Sequence, residues 1–275
     1  MYHTIKEASA AYYRLDPATF APKDTLLEMH DRAKSAGGPV AARLAAALVL
    51  ELSRHPEVYP EDRYDYVREA QRRYEYRKPS GEYRLQHFND DMVRAHMPLF
   101  VNDNTAAARS AAVHDTADLL RDRRRQWAVK DPTVRHGDLG YDYEIGACLL
   151  TNALQPSLVA YPSLPRQDNN LREVDGHKYR WDVTIESNGS VIEKGQYRVQ
   201  VKSSLNESND NYHADIHILR LGRILPQRSD IHLLPELLEG EDACYGQILN
   251  GASSYILDQL AKKPPASEAM HYVRR

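Results

Sequence analysis

The chain has 275 residues, 42% hydrophobic and 27% charged, with a formal net charge of −3. Length and composition suit one large globular domain or two modest ones. The first 125 residues carry 20 basic and 19 acidic side chains and the remainder 16 and 20, which excludes a bulk-basic nucleic-acid module and leaves only a local patch for such contact.

The N-terminal stretch MYHTIKEASA has no apolar core, so no secretory leader is expected. The apolar run AARLAAALVLEL at 41–52 contains Arg43 and is 12 residues long, short of the roughly 20 that span a membrane. It belongs to PVAARLAAALVLELSR at 39–54, apolar nearly all round, which predicts a helix buried among others. Pro39 after a Gly pair suits its first turn. Six tyrosines (59, 64, 66, 74, 76 and 83) lie in an Arg-rich stretch. Amphipathic helix packing explains them, with base stacking as the alternative. Residues 104–127 keep Ala108, Ala112, Leu119 and Leu120 at helical spacing. RDRRRQWAVK at 121–130 is the best basic patch, though cations also suit a helix C-terminus. Residues 1–128 therefore read as a helical domain.

Pro, Gly and polar residues at 129–140 predict a linker. The pattern then changes. YDYEIGACLLTNAL (141–154) predicts a helix carrying Glu144. SLVAYPS (157–163), YRWDVTIES (179–187), QYRVQVKSS (196–204) and YHADIHILRL (212–221) predict strands, and 245–263 a closing helix. The expected class is α/β (α+β): a mixed sheet flanked by helices over 138–264, followed by a tail at 265–275. Cys148 and Cys244 are the only cysteines; they fit a reducing cytoplasm and allow no disulfide scaffold.

Side chains alternate faces along a strand, so Arg198, Gln200 and Lys202 share one face and Tyr197, Val199 and Val201 the other. An antiparallel register with Asp182 opposite Gln200 sets Val183 against Val199, Ile185 against Tyr197 and Trp181 against Val201. Every apolar residue then meets an apolar one. Asp182, Gln200 and Lys202 converge on the polar face, the direct pair roughly 5 Å apart. Asn188-Gly189 is a tight-turn signal. A two-residue turn there would set Asp182 opposite Gly195 and turn Gln200 away, so a wider connection over about 187–195 is expected.

A helix with Glu144, an acid on one strand and Gln-x-Lys on the next resembles the restriction-endonuclease-like superfamily, whose signature is written PD-(D/E)xK. The resemblance covers about 140–204. It is closest to the Mrr-like and resolvase-like branches, where Gln-x-Lys replaces Glu-x-Lys. Trp181 stands where the motif name has proline, and SLNESNDN after Lys202 is shorter than the family's usual crossover helix. The resemblance implies a Mg²⁺- or Mn²⁺-dependent endonuclease acting on DNA, with RNA left open and a restriction or phage-defence setting. The catalytic set would be Glu144, Asp182, Gln200 and Lys202. Glu144, Asp182, the Gln200 amide oxygen and the Val201 carbonyl would bind the metal, all hard oxygen ligands. Lys202, its ammonium beside the carboxylates, would orient water or stabilise transition-state charge. A double-strand cut implies a homodimer, and no membrane partner is implied. The alternative is a non-catalytic nucleic-acid-binding or regulatory protein on a degenerate nuclease fold.

His213, Asp215 and His217 alternate along 212–221 and read as the solvent face of an edge strand. On a strand i and i+4 lie about 13 Å apart, too far for one ion. Asp175 is a further acidic candidate, with a turn role as the alternative.

Overall fold

The computed structural model describes residues 3–59, 62, 65, 66, 69, 136–168, 173, 174, 176–202, 211–220 and 253–266, with 136–142 and 174 described in backbone only. The expected helix at 104–127, the basic stretch 121–130, most of the tyrosine-rich stretch, Asp175 and residues 245–252 lie outside them. The chain divides into two compact units.

The first unit holds three helices. Helix α1 (Ile5–Arg14) starts at a reciprocal cap. The Thr4 hydroxyl accepts from Glu7 N–H, and the Glu7 carboxylate accepts from the Thr4 and His3 N–H groups. These backbone bonds hold the Glu7 pKa below its ordinary value. Helix α2 (Lys23–Ala36) ends at Gly37, and α3 (Gly38–Arg54) begins at once with Pro39 in its first turn. Both junction glycines have positive φ, 63° and 81°, a conformation costly for residues bearing a Cβ. From Leu44 to Arg54 every residue of α3 is buried, as its all-round apolar sequence predicts. Tyr12, Leu26, Met29, Leu44, Leu48 and Leu52 form the centre of this core. Tyr66 packs against it, whereas Tyr59 is exposed.

Glu51 is the one acid of α3, and its partner comes from the 163–169 segment of the same unit. Arg166 and Glu51 form a two-point ion pair with both side chains inaccessible to solvent. The Asp16 and Thr19 carbonyls accept from the same guanidinium, and Pro17 O accepts from Gln167. A fork of donors matched to a carboxylate and two carbonyls satisfies a buried charge that would otherwise be costly.

The second unit contains helix α4 (His136–Leu154), a four-stranded mixed sheet, a two-stranded ribbon and helix α5 (residues 253–260). The sheet strands are β1 (Leu158–Pro162), β4 (Val183–Ser187), β5 (Gly195–Lys202) and β6 (Ile216–Arg220), in the order β1-β4-β5-β6. The first two pairings are antiparallel and the last is parallel. The ribbon pairs β2 (Glu173–Val174) with β3 (His177–Lys178). Helix α4 starts at residue 136, inside the stretch expected as a linker. Asn152 of α4 brackets Ala160: its amide donates to the Ala160 carbonyl (3.0 Å) and its oxygen accepts the Ala160 N–H (2.7 Å). That occupies backbone groups which a sheet edge would otherwise expose.

The β4–β5 register sets Val183 against Val199 and Ile185 against Tyr197, as the apolar matching predicts. The connection is wide, 188–194, with Ser187 against Gly195 as the last pair. A Cβ at Gly195 would come within 2.6 Å of Pro265, and the following Ala266 donates its N–H to the Gln196 carbonyl (2.8 Å). Glycine here admits the 264–266 segment alongside the start of β5.

Two strands are shorter than expected. The 179–187 strand begins at Val183, and the 212–221 strand at Ile216. The chain bends at Asp182, so Trp181 does not face Val201. Its indole N–H donates to Thr184 (2.9 Å) and its ring stacks on the Arg198 guanidinium at 5.0 Å. Thr184 and Arg198 are cross-strand partners on the polar face. Trp181 closes a small core there with Tyr212 and Ile216. Among the described residues no helix is long and apolar enough to cross a membrane.

Candidate metal centre

Asp182 sits where β4 starts and donates its N–H to the Val199 carbonyl (2.8 Å). In the β4–β5 register, Val201 would meet the backbone of residue 181. The bend removes that partner, and Asp182 Oδ2 accepts the Val201 N–H instead, at 2.8 Å. The Gln200 side-chain amide donates to the same oxygen. Asp182 and Gln200 are 3% and 2% exposed, so this polar contact is made out of water. The Gln200 amide oxygen is buried and has no hydrogen-bond partner in the structure. A buried acceptor without a donor is costly, and a cation is one group that would satisfy it.

Glu144 is half-buried on α4, and a carboxylate oxygen of Glu144 lies within 4.8 Å of one of Asp182. Two ligands of one hard cation, each about 2.1–2.4 Å from it, are separated by at most about 4.8 Å. Like charges this close repel, and a cation between them offsets the repulsion. In a strand the N–H and C=O of one residue point to the same side, so the Val201 carbonyl is directed towards the side on which Asp182 caps its N–H. The donor set is all oxygen, which suits Mg²⁺ or Mn²⁺ and not a soft metal. The residues present fit such an ion.

Lys202, expected beside the carboxylates, forms no ion pair among the described residues. Its ammonium donates to the Tyr212 hydroxyl and lies 4.7 Å from the Tyr212 ring centroid. Nothing local in the sequence marked Tyr212, the first residue of an expected strand, for this contact.

The histidine–aspartate stretch does not form one solvent face. His213 and Asp215 precede β6 and bind each other, Nδ1 to Oδ1, at 2.6 Å. The other Asp215 oxygen pairs with Arg198 at 2.6 Å, and the Arg198 guanidinium also donates to the Tyr179 hydroxyl. His217 lies within β6, buried against Tyr197 with ring centroids 5.2 Å apart. The turn before β6 breaks the alternation on which the single face depended. Cys148 is a buried free thiol.

No family model, curated protein or solved structure matches the chain.

Proposed function

We propose that the chain is a divalent-metal-dependent endonuclease that hydrolyses phosphodiester bonds of DNA, on a PD-(D/E)xK-type sheet. The observation that carries the reading is the convergence at one end of the β4–β5 pair. Asp182 is bound to Gln200 and to Val201 N–H, and a Glu144 oxygen lies within 4.8 Å of an Asp182 oxygen. Support also comes from the element order: a helix with an acid, two antiparallel pairings, then a parallel strand.

Glu144, Asp182, the Gln200 amide oxygen and the Val201 carbonyl would hold the ion. When bound, Mg²⁺ or Mn²⁺ supplies Lewis acidity towards a phosphoryl oxygen and lowers the pKa of a coordinated water. The chain's own groups do the rest. Gln200 adds a ligand without adding charge. Asp182 is fixed by the backbone and cannot swing away. Lys202, two residues beyond Gln200 on the same strand face, brings positive charge towards the phosphate, where charge grows in the transition state.

The test is nicking of supercoiled plasmid with Mg²⁺ or Mn²⁺, with a matched RNA as second substrate, by wild type, Asp182→Ala and Lys202→Ala. Loss of roughly a hundredfold or more in each variant is expected. Equal nicking by all three would assign the activity to a contaminant and end the proposal.

A further inference from the structure

Lys202 is half-buried at the end of β5, and a long amine there has several rotamers to choose from. Tyr212 restricts the choice. The residue is 8% exposed and packs with Trp181 and Ile216. Its hydroxyl accepts from Lys202 Nζ while the ring lies 4.7 Å from the same nitrogen. Tyr212 itself is held by backbone on both sides. Lys178 N–H donates to the Asn211 carbonyl and His213 N–H donates to the Lys178 carbonyl, each at 3.0 Å. The Asn211 amide ties the same segment to the Gly176 carbonyl at 2.6 Å. The ribbon strand β3 thus braces Tyr212, and Tyr212 braces Lys202. A second ammonium, of exposed Lys178, lies 5.9 Å from the same ring centroid.

We infer that Tyr212 is the positioning residue of Lys202. Its phenol oxygen and ring hold the ammonium at one place on the polar face of β5, next to Gln200. The inference rests on the proposed function only for what Lys202 does there; the hold itself is independent of it. Packing alone would require the ring of Tyr212 but not its hydroxyl, so Tyr212→Phe separates the two roles.

Two readouts are taken on wild type and Tyr212→Phe, after thermal unfolding shows that the variant is folded. The first is the acylation rate of individual lysines by a water-soluble ester, followed by peptide mass spectrometry. Lys202 is expected to react several-fold slower than Lys178 in the wild type and several-fold faster in Tyr212→Phe than in wild type, with Lys178 unchanged. The second is plasmid cleavage, where kcat is expected to fall roughly tenfold or more, the scale of a lost charge-assisted hydrogen bond, with KM unchanged.

If wild type cuts DNA and Tyr212→Phe alters neither Lys202 acylation nor kcat, the positioning role is overturned and the nuclease reading stands. If wild type does not cut but Lys202 is released in Tyr212→Phe, the hold stands and the nuclease reading falls. Should Tyr212→Phe not fold, the wild-type comparison decides: Lys202 acylated as fast as Lys178 overturns the inference.

Discussion

Glu51 shows what one buried acid costs and contributes when it lies inside a largely apolar helix. Its partner Arg166 is 115 positions away in sequence, and both side chains are fully buried. The carboxylate is also bound to Ala21 N–H, at 3.3 Å. Removing one charge of such a pair strands the other in a medium that cannot solvate it, at about 3–5 kcal/mol. Glu51→Gln is therefore expected to lower the unfolding free energy by about 3 kcal/mol or more, read from urea or guanidinium unfolding. Replacing both members, Glu51→Leu with Arg166→Met, should recover much of the loss. A Glu51→Gln penalty below about 1 kcal/mol would place the pair in water, where such bridges contribute little. Asp182 illustrates the complementary case. Its oxygen replaces a missing strand partner for Val201, so the same carboxylate ends a sheet ladder while lying within 4.8 Å of a Glu144 oxygen.

Among the elements, β6 and α5 are joined through His217. Its Nδ1 faces the Gln259 carbonyl of α5 at 3.3 Å and must donate to it, while Nε2 is buried without a hydrogen-bond partner in the structure. Burial pushes the His217 pKa below 6.5, only partly opposed by the Gln259 and Pro264 carbonyls. The folded state then binds fewer protons than the unfolded chain between the lowered pKa and 6.5. Stability from this group is fully present above pH 6.5 and is lost as pH falls through the folded value. Wild type should lose stability from pH 7.5 to pH 5.5 relative to His217→Gln, which carries no titrating group there. Parallel stability curves for the two proteins would contradict this. The strand carrying His217 also marks a limit of period-two reading. Alternation placed His213, Asp215 and His217 on one face, but β6 starts only at Ile216, and a turn has no period. The same reasoning succeeded for β4 and β5, because an antiparallel register must bury Val183, Ile185, Tyr197 and Val199 together. A one-residue slip would turn all of them to the opposite face, among the buried polar side chains of Thr184, Arg198 and Gln200.

For the molecule as a whole, the order of helix, strands and helix was legible because each element carries its own period or its own breaker residues. Helices α3 and α4 were legible from composition, α3 also as a buried one, although α4 began earlier than its linker-like first turn suggested. The Asp182–Gln200 convergence followed from the register. The Arg166–Glu51 pair and the Tyr212–Lys202 contact did not, because long-range polar partners leave no mark on local periodicity. The central claim concerns the oxygen ligands at the end of β4 and β5. Its most direct test is divalent-ion binding without substrate, by Mg²⁺ calorimetry or Mn²⁺ paramagnetic resonance, on wild type, Asp182→Asn and Gln200→Leu. Saturable binding of one ion per chain is predicted, weakened roughly tenfold or more in Asp182→Asn, where one unit of ligand charge is lost. Gln200→Leu should weaken it as well. Wild type that binds no ion, or binding that neither substitution changes, would contradict the claim.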